Sequence, residues 1–298
     1  STNSADSKIA IGKNAGLNCR GDNNTLVGAL AGDAITTGDQ NTVIGYQAGS
    51  AINSSSGSVA IGYQALLYED SQGYNVAVGF RALKNQNSDA ITYNVAMGYA
   101  SQEVCLSGRY NVSIGGEALY TNSDGDNNTA IGFRALKYFE ADTDGHGENT
   151  AVGSNAAENM STGANNVAVG QSAIGSGVTT GDYNVAVGHS AGLALTSGVR
   201  NTIIGGLAGD ALTTGNFNVA IGYESLSAED NGNYNVAIGY NALKVLDAGD
   251  AYNTAIGFDT GKSVTTGIRN TLIGGLAGDA LTTGQRNVAI GYNALSTE

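Results

Sequence analysis

One five-residue pattern recurs from one end of the chain to the other: Asn, then Val or Thr, Ala, Ile or Val, and Gly. It occurs seventeen times, mostly at intervals of 17 residues and otherwise of 16, 18, 19 or 21. We number each copy from its asparagine as position 0, which puts the glycine at position 4. A short period that fills a whole chain indicates a solenoid, in which each repeat forms one coil stacked on the previous one. The sequence therefore predicts an all-β fold, a parallel β-roll or β-solenoid of about 17 short coils in a single repetitive domain, residues 1–298.

The alternation within the pattern predicts a strand with two apolar faces. Position 1 is Val or Thr apart from Ile9, and position 3 is Ile or Val apart from Met97. Side chains alternate across a strand, so positions 1 and 3 lie on one face and positions 0, 2 and 4 on the other. A strand with two apolar faces has to be buried on both. Because one thin coil has only one interior, we expect the second face to contact another chain.

A second segment follows the glycine of each coil. Position 7 is Ala in fourteen copies, and position 5 is Tyr or Phe in nine. Where position 2 is large, as in Leu26, Ile203 and Leu272, position 5 is Ala or Gly and position 6 is Leu. This exchange predicts that positions 2, 5 and 6 share one packing layer. The aromatic row is therefore expected to fill the core or an interface, with a platform for stacking carbohydrate as the alternative.

Asparagine occupies position 0 in fifteen of the seventeen coils, the exceptions being Lys8 and Ser58. Stacked asparagine side chains can hydrogen-bond along the coil axis as a ladder, and asparagine tolerates the turn that precedes a strand. We predict a structural ladder that includes Asn75, Asn94, Asn111, Asn128, Asn166, Asn184, Asn201, Asn218 and Asn235.

Composition and charge exclude several classes of partner. The chain has 45 Gly and no Pro among 298 residues, 13% of its residues are charged, and its net charge is −13. Nucleic acid requires clustered Lys and Arg, and an anionic membrane surface repels an acidic chain, so neither partner is expected. No stretch approaches 18 apolar residues, so we expect no membrane insertion. Cys19 and Cys105 lie five coils apart, about 24 Å at the spacing of stacked strands, which is too far for a disulfide. Both are predicted to be small buried or half-buried residues.

Residues suited to catalysis are scarce. Only His146 and His189 could act as a general base or bind a metal, and neither has the spacing of a zinc site. No nucleophile elbow, phosphate-binding loop or dinucleotide fingerprint occurs in its required context. We therefore expect no enzymatic activity and no cofactor.

The longest insertion, residues 142–148, resembles the start of a calcium-binding loop. Asp142, Asp144 and Glu148 are its candidate ligands, but the bidentate Glu of an EF-hand would fall at Gly153. The prediction is a solvated loop, with calcium as the alternative.

Loops that project from a rigid scaffold often carry binding residues. The extended returns of the coils that begin at Asn75 and Asn128 are therefore the candidate binding segments. The predicted binding residues are Asn85, Asn87, Asp89, Tyr93, Tyr138, Phe139, Asp144 and His146.

Copies such as Asn75–Gly79 and Asn287–Gly291 resemble the head repeat of trimeric autotransporter adhesins of the YadA type, and the resemblance covers essentially the whole chain. It implies a left-handed parallel β-roll, a homotrimer wound around one axis, and binding to host surface molecules. The adhesin heads have a shorter repeat. The Gly-Tyr-Xaa-Ala-Leu extension and the TTG-like return are more similar to bacteriophage tail-fibre shafts, which are likewise trimers that bind host cell-surface glycans.

The pattern and the resemblance together predict an extracellular attachment fibre, a homotrimer that binds a carbohydrate or protein receptor on a host cell. A tail fibre on a phage virion is favoured, and a bacterial surface adhesin is the alternative. An ice-binding solenoid would need an unbroken row of threonines, of which the TTG motifs provide only fragments. These motifs begin at Thr36, Thr179, Thr213, Thr265 and Thr282. A polysaccharide-degrading fibre would instead use carboxylates from neighbouring insertions as acid and base.

Overall fold

A computed structural model describes residues 7–70, 73–143 and 145–297. Over these ranges the chain forms seventeen three-residue β-strands and no helix, which confirms the predicted all-β parallel solenoid. Accordingly, no helix in these ranges is able to cross a membrane. Each strand occupies positions 1 to 3 of its coil. The strands are Ile9–Ile11 (β1), Thr25–Val27 (β2), Thr42–Ile44 (β3), Val59–Ile61 (β4), Val76–Val78 (β5), Val95–Met97 (β6), Val112–Ile114 (β7), Thr129–Ile131 (β8), Thr150–Val152 (β9), Val167–Val169 (β10), Val185–Val187 (β11), Thr202–Ile204 (β12), Val219–Ile221 (β13), Val236–Ile238 (β14), Thr254–Ile256 (β15), Thr271–Ile273 (β16) and Val288–Ile290 (β17).

Two compact units divide the chain, Ser1–Asn149 with β1–β8 and Thr150–Glu298 with β9–β17. Within each unit, consecutive strands are parallel and every residue faces the same position of the next coil. Backbone hydrogen bonds join the coils, as where the Val59 N–H donates to the Asn75 carbonyl over 2.8 Å. Strands this short are stable because each inner strand is paired on both sides by the strand of a neighbouring coil.

Each coil turns through left-handed backbone conformations at three fixed positions. Position 6, position 8 and the residue before position 0, which we call position −1, have φ values from 47° to 69°. This region costs a residue with a Cβ roughly 1–2 kcal/mol, yet even the β-branched Ile174 adopts it at position 8. Stacking holds these turns in place, because amides in them bond to the next coil, as from Leu66 to the Ala82 carbonyl at 3.0 Å.

The interior of the coils is filled by positions 0, 2, 7, 8 and 11. Position 2, usually Ala, is buried in β2–β17, and the alanines of position 7 lie beside it. Position 11 supplies the larger side chains, including the fully buried Ile35, Ile52, Phe139 and Leu195. The core is therefore a set of parallel columns, each built from one position of the repeat.

The predicted packing layer of positions 2, 5 and 6 is wrong. Position 5 follows the turn at the glycine and points outward, so its rings do not reach position 2. The volume exchange instead joins positions 2 and 8. Leu26, Ile203 and Leu272 at position 2 all have glycine at position 8, whereas coils with Leu at position 8 have Ala or Ser at position 2. A Cβ on Gly278 would lie only 2.9 Å from Leu272 Cδ2, so one of the two positions must be small.

The asparagines of position 0 form a buried hydrogen-bonded row within each unit. The Oδ1 of Asn201 accepts the Asn218 N–H over 2.9 Å, and Asn218 Nδ2 donates to the Gly232 carbonyl over 2.7 Å. Burial removes these amides from water, so the row must satisfy its own polar groups. Other side chains of the row accept the position-0 N–H of the next coil through Oδ1 in the same way; they are Asn75, Asn94, Asn111, Asn128, Asn166, Asn184, Asn218 and Asn235.

Candidate functional site

Positions 1 and 3 point away from the interior and form an apolar strip along each unit, which we call the outward strip. Position 1 is half-buried in β2–β16, and position 3 is half-buried or exposed, with Met97 41% and Ile204 37% exposed. Complete burial of a Val or Ile side chain is worth about 1.5–3 kcal/mol, so covering the exposed third of Ile204 would yield about 0.5–1 kcal/mol. A continuous apolar surface of this kind marks a contact site.

Aromatic rings flank both ends of β5, β6, β13, β14 and β15, at positions 5 and −1. They stack into columns, with centroid distances between 4.8 Å for Tyr234 on Tyr252 and 5.9 Å for Tyr93 on Tyr110. Of the two roles predicted for position 5, filling the core is wrong, because Phe80 is 38% and Tyr99 58% exposed, and filling an interface stays a prediction. The position-5 columns are Tyr46–Tyr63–Phe80–Tyr99 and Tyr223–Tyr240–Phe258, and the position −1 columns are Tyr74–Tyr93–Tyr110 and Phe217–Tyr234–Tyr252.

Stacking covers the ring faces inside a column. The planes of neighbouring rings differ by only 5° to 20°, so each inner ring presents its edge to solvent. A sugar that stacks on an aromatic side chain needs a free ring face. Within a column, such a face remains at an end ring, such as Tyr99.

The predicted binding return from Asn85 to Tyr93 is bonded to the coil that follows it. The Asn85 N–H donates to the Glu103 carbonyl over 3.2 Å, and the Asn87 N–H donates to the Leu106 carbonyl over 3.1 Å. Asn85 is half-buried, while Asn87 and Asp89 are exposed. Tyr93 has a different environment from these residues, because its ring is stacked in a position −1 column.

Phe139 is not a binding residue on a loop. It lies at position 11 of its coil and is fully buried, so its assignment to a projecting segment is wrong. Its neighbour Tyr138 is exposed, and Lys137 Nζ stands 4.8 Å from the centre of the Tyr138 ring. The sequence signal was available, because the eleventh residue after Asn128 falls in the column of Ile35 and Ile52.

Among its described residues, the polar insertion after Phe139 brings one imidazole beside one carboxyl group. His146 Nδ1 lies 3.4 Å from Asp142 Oδ1, and both side chains are exposed. Glu148 is exposed at position −1 with φ 58°. Asp144, predicted as a binding residue and as a possible calcium ligand, lies outside the described residues.

Within residues 7–70, 73–143 and 145–297, the one group of three acidic side chains with ligand atoms within 4.8 Å of one another is Glu229, Asp230 and Asp247. Glu229 is buried at position 11, where burial raises the pKa of its carboxyl. Its oxygens accept the Gly232 N–H over 2.7 Å and the Ala248 N–H over 3.3 Å. These two hydrogen bonds explain why the Glu229 carboxylate points inward: it caps a turn of the backbone.

A cleft of about 230 Å³ opens beside the free end of the first position-5 column. Its floor is Ala100, a small residue at position 6, where the neighbouring coils carry Arg81 and Glu117. The position-9 side chains of three coils close its other side. The lining residues are Arg81, Tyr99, Ala100, Glu103, Glu117, Tyr120 and Lys137, and we call this feature the Tyr99 cleft.

The charges around the Tyr99 cleft are paired with one another. Arg81 Nη1 lies 3.6 Å from Glu103 Oε1, and Lys137 Nζ lies 2.8 Å from Glu117 Oε2. Arg134 Nε donates to the same Glu117 oxygen over 2.9 Å. The hydrogen bond from Lys137 lowers the pKa of Glu117, and the same bond raises the pKa of Lys137. The cleft therefore presents charged groups with little net charge.

Comparison with known proteins gives no family assignment, since no protein-family model and no curated protein matches the chain. The features of the described residues that bear on function are the outward strip, the aromatic columns and the Tyr99 cleft.

Proposed function

We propose that the chain is the subunit of a trimeric attachment fibre, most closely a bacteriophage tail fibre that binds cell-surface glycans. In this assembly three parallel copies meet through their outward strips. The fibre acts outside the cell, on the virion, and presents its side loops and clefts to a host surface.

The outward strip is the observation that carries the proposal. Apart from Ile9 and Met97, it repeats Val or Thr at position 1 and Ile or Val at position 3 in successive coils of each unit. The surface that best matches this period is another copy of the same strip, because its side chains recur at the same spacing of about 4.8 Å per coil. Most assemblies of identical chains are closed by a rotation axis, and the number three comes from the resemblance to trimeric adhesins and fibres.

A fibre of this kind would gain affinity by presenting three copies of every weak site. Linking several weak sites raises the overall affinity by about 10²–10⁴ without a new contact. The coils supply many identical positions at which a sequence change alters the surface and leaves the core columns intact. Both properties suit attachment to repetitive polymers on a cell.

The threonine rows give less support to ice binding. The hydroxyls of Thr196 and Thr213 donate to backbone carbonyls of the next coil, at 3.0 Å and 2.8 Å. A hydroxyl that donates in this way has used its only hydrogen and has a fixed orientation, so it does not act as a free element of an ice-matching array.

The test is binding of the fluorescently labelled chain to intact cells, measured by flow cytometry on a panel of bacterial strains and on animal epithelial cells. Part of each bacterial sample is treated with periodate, which cleaves vicinal diols of surface glycans. We expect saturable binding to at least one bacterial strain and its loss after periodate.

The control variant carries Ile204→Lys and Ile256→Lys, which place charges on the outward strip and should separate the copies. Its binding should fall by at least tenfold, because avidity is lost. Binding to animal cells alone would favour the bacterial adhesin. Absence of binding to every cell type would refute attachment.

A further inference from the structure

The first position-5 column ends at Tyr99 because the next coil has Gly116 at that position. Tyr99 stacks on Phe80 with 5.3 Å between ring centres, so one of its faces is covered. The next ring of the column would stand on Gly116, and the row resumes one coil later with Phe133, whose ring lies 3.5 Å from where a Cβ on Gly116 would be. The free face of Tyr99 therefore borders a gap about as thick as one missing ring.

The chemistry beside this gap differs from that at the other glycines of position 5. Gly206 and Gly275 are each followed by a half-buried leucine, Leu207 and Leu276. Gly116 is followed by Glu117, held by Lys137 and Arg134. The gap at Gly116 thus combines a free aromatic face with hydrogen-bonding groups, and it adjoins the Tyr99 cleft, of which Tyr99 and Glu117 are both lining residues.

The polar groups of the cleft suit a neutral ligand that both donates and accepts hydrogen bonds. The carboxylates of Glu103 and Glu117 are already paired with cations, so a charged ligand would have to displace an existing partner. The Arg81 side chain is 38% exposed and its Nη1 lies 3.6 Å from Glu103 Oε1, longer than a hydrogen bond, so its outer N–H groups remain donors for an incoming oxygen. Hydroxyl groups meet these needs, because each is a donor and an acceptor.

Size and shape narrow the class of ligand further. Sites for drug-sized molecules occupy about 300–1,000 Å³, so a cleft of about 230 Å³ suits one small ring with its substituents. The face of an aromatic ring is electron-rich and attracts slightly positive C–H groups. A pyranose has such a C–H face and carries hydroxyls around its edge.

We propose that the Tyr99 cleft binds one neutral sugar residue of a glycan, with the sugar's C–H face on Tyr99 and its hydroxyls on Glu103, Glu117 and Arg81. This assignment rests on the proposed attachment function and specifies its ligand. Most of the cleft is built from positions 6 and 9, so association through positions 1 and 3 leaves its opening accessible. A single site of this size is expected to bind weakly, and repetition in the assembly supplies the avidity.

The test is saturation-transfer NMR on the intact chain with neutral probes (glucose, galactose and N-acetylglucosamine) and charged probes (glucuronate and sialic acid). The blocking variant is Ala100→Arg, which fills the cleft from its floor. Arginine is tolerated at position 6, since Arg81 and Arg134 occupy it with φ 56° and 57°, against 50° for Ala100. The matched control is Ser172→Arg, at position 6 of the second unit with φ 54°.

We expect at least one neutral probe to bind and its affinity to fall at least tenfold in Ala100→Arg and in Tyr99→Leu. The Tyr99→Phe and Ser172→Arg variants should bind this probe with the affinity of the unmodified chain. The assignment is overturned if no neutral probe binds the chain, if a charged probe binds more tightly, or if Ala100→Arg leaves binding unchanged.

The cell-binding assay separates this assignment from the attachment function. If Ala100→Arg adheres to cells as strongly as the unmodified chain, the cleft is refuted as the receptor site and attachment stands. The opposite result is that the chain adheres to no cell but binds a neutral sugar, and that Ala100→Arg abolishes this binding. In that case attachment is refuted and the sugar site in the cleft stands.

Discussion

The glycine of position 4 should be the least replaceable residue of an inner coil. A Cβ on Gly222 would lie 2.6 Å from the carbonyl carbon of Gly239 and 3.2 Å from its Cα, and it would also overlap the carbonyl oxygen. Real Cβ atoms do not approach backbone this closely, so Gly222→Ala would have to push two coils apart. Gly222 also has φ +130°, where a residue with a side chain is strained.

Gly291 separates the steric effect of an added Cβ from the backbone strain at positive φ. Its φ is +127°, close to that of Gly222, but an added Cβ there would meet nothing within 4 Å. The backbone strain of roughly 1–3 kcal/mol is common to both alanine variants, and the overpacking cost of about 1–3 kcal/mol applies to Gly222→Ala alone. The free energy of unfolding should therefore fall by about 2–6 kcal/mol for Gly222→Ala and by about 1–3 kcal/mol for Gly291→Ala.

Gly291 lies in the last coil, so its position near the end needs its own control. Gly12→Ala serves this purpose, because Gly12 is in the first coil, has φ +132°, and would place a Cβ 2.6 Å from the Gly28 carbonyl carbon. The assay is urea unfolding followed by circular dichroism at a fixed protein concentration, since association contributes to apparent stability. Equal losses for Gly12→Ala and Gly291→Ala would refute the steric argument, as would a Gly222→Ala variant as stable as the unmodified chain.

Three further predictions follow from buried polar groups. Asn218→Ala leaves a buried N–H and a buried carbonyl without their partners and should cost about 2–4 kcal/mol in urea unfolding; a loss below 1 kcal/mol would contradict the ladder. Burial, aided by the charge of Asp124, raises the pKa of Glu140 from 4.5 to about 7, so the folded chain holds this proton more tightly. The stabilisation that comes from this tighter proton binding is complete below pH 4.5 and is lost as the pH rises through about 7. The melting temperature should therefore fall over this pH range, and it should fall less steeply in Glu140→Gln. Burial raises the pKa of Cys105 to about 12, so a thiol reagent at neutral pH should label the half-buried Cys19 first, and equal rates would contradict the structure.

The period of the sequence was sufficient to predict the coils, and the alternation was sufficient for the strand. Position 2 faces inward and positions 1 and 3 face outward, because alternation holds as long as the backbone stays extended. It fails after the glycine of position 4. Two left-handed residues, at positions 6 and 8, then rotate the chain in a way that neither the strand period nor the helix period describes.

The errors in the candidate site have the same origin. Phe139 was assigned to a loop because it belongs to the extended return of the coil that begins at Asn128, and nothing in a propensity rule indicates that position 11 turns inward. Comparing that position across coils would have found it, since Ile35 and Ile52 occupy the same column. The Tyr99 cleft was not predictable, because it depends on side chains from four coils around a single small residue, Ala100.

The number of copies in the assembly is the property that the pattern of one chain leaves undetermined, and it is the central claim. The most direct test is the mass of the purified chain in solution by light scattering, repeated with the Ile204→Lys and Ile256→Lys variant. For the unmodified chain we expect a mass near 90 kDa, three times the 30.0 kDa of one chain. For the variant we expect the mass of a single chain, and this pair of results would support association through the outward strips. A stable monomer of 30.0 kDa for the unmodified chain would contradict it.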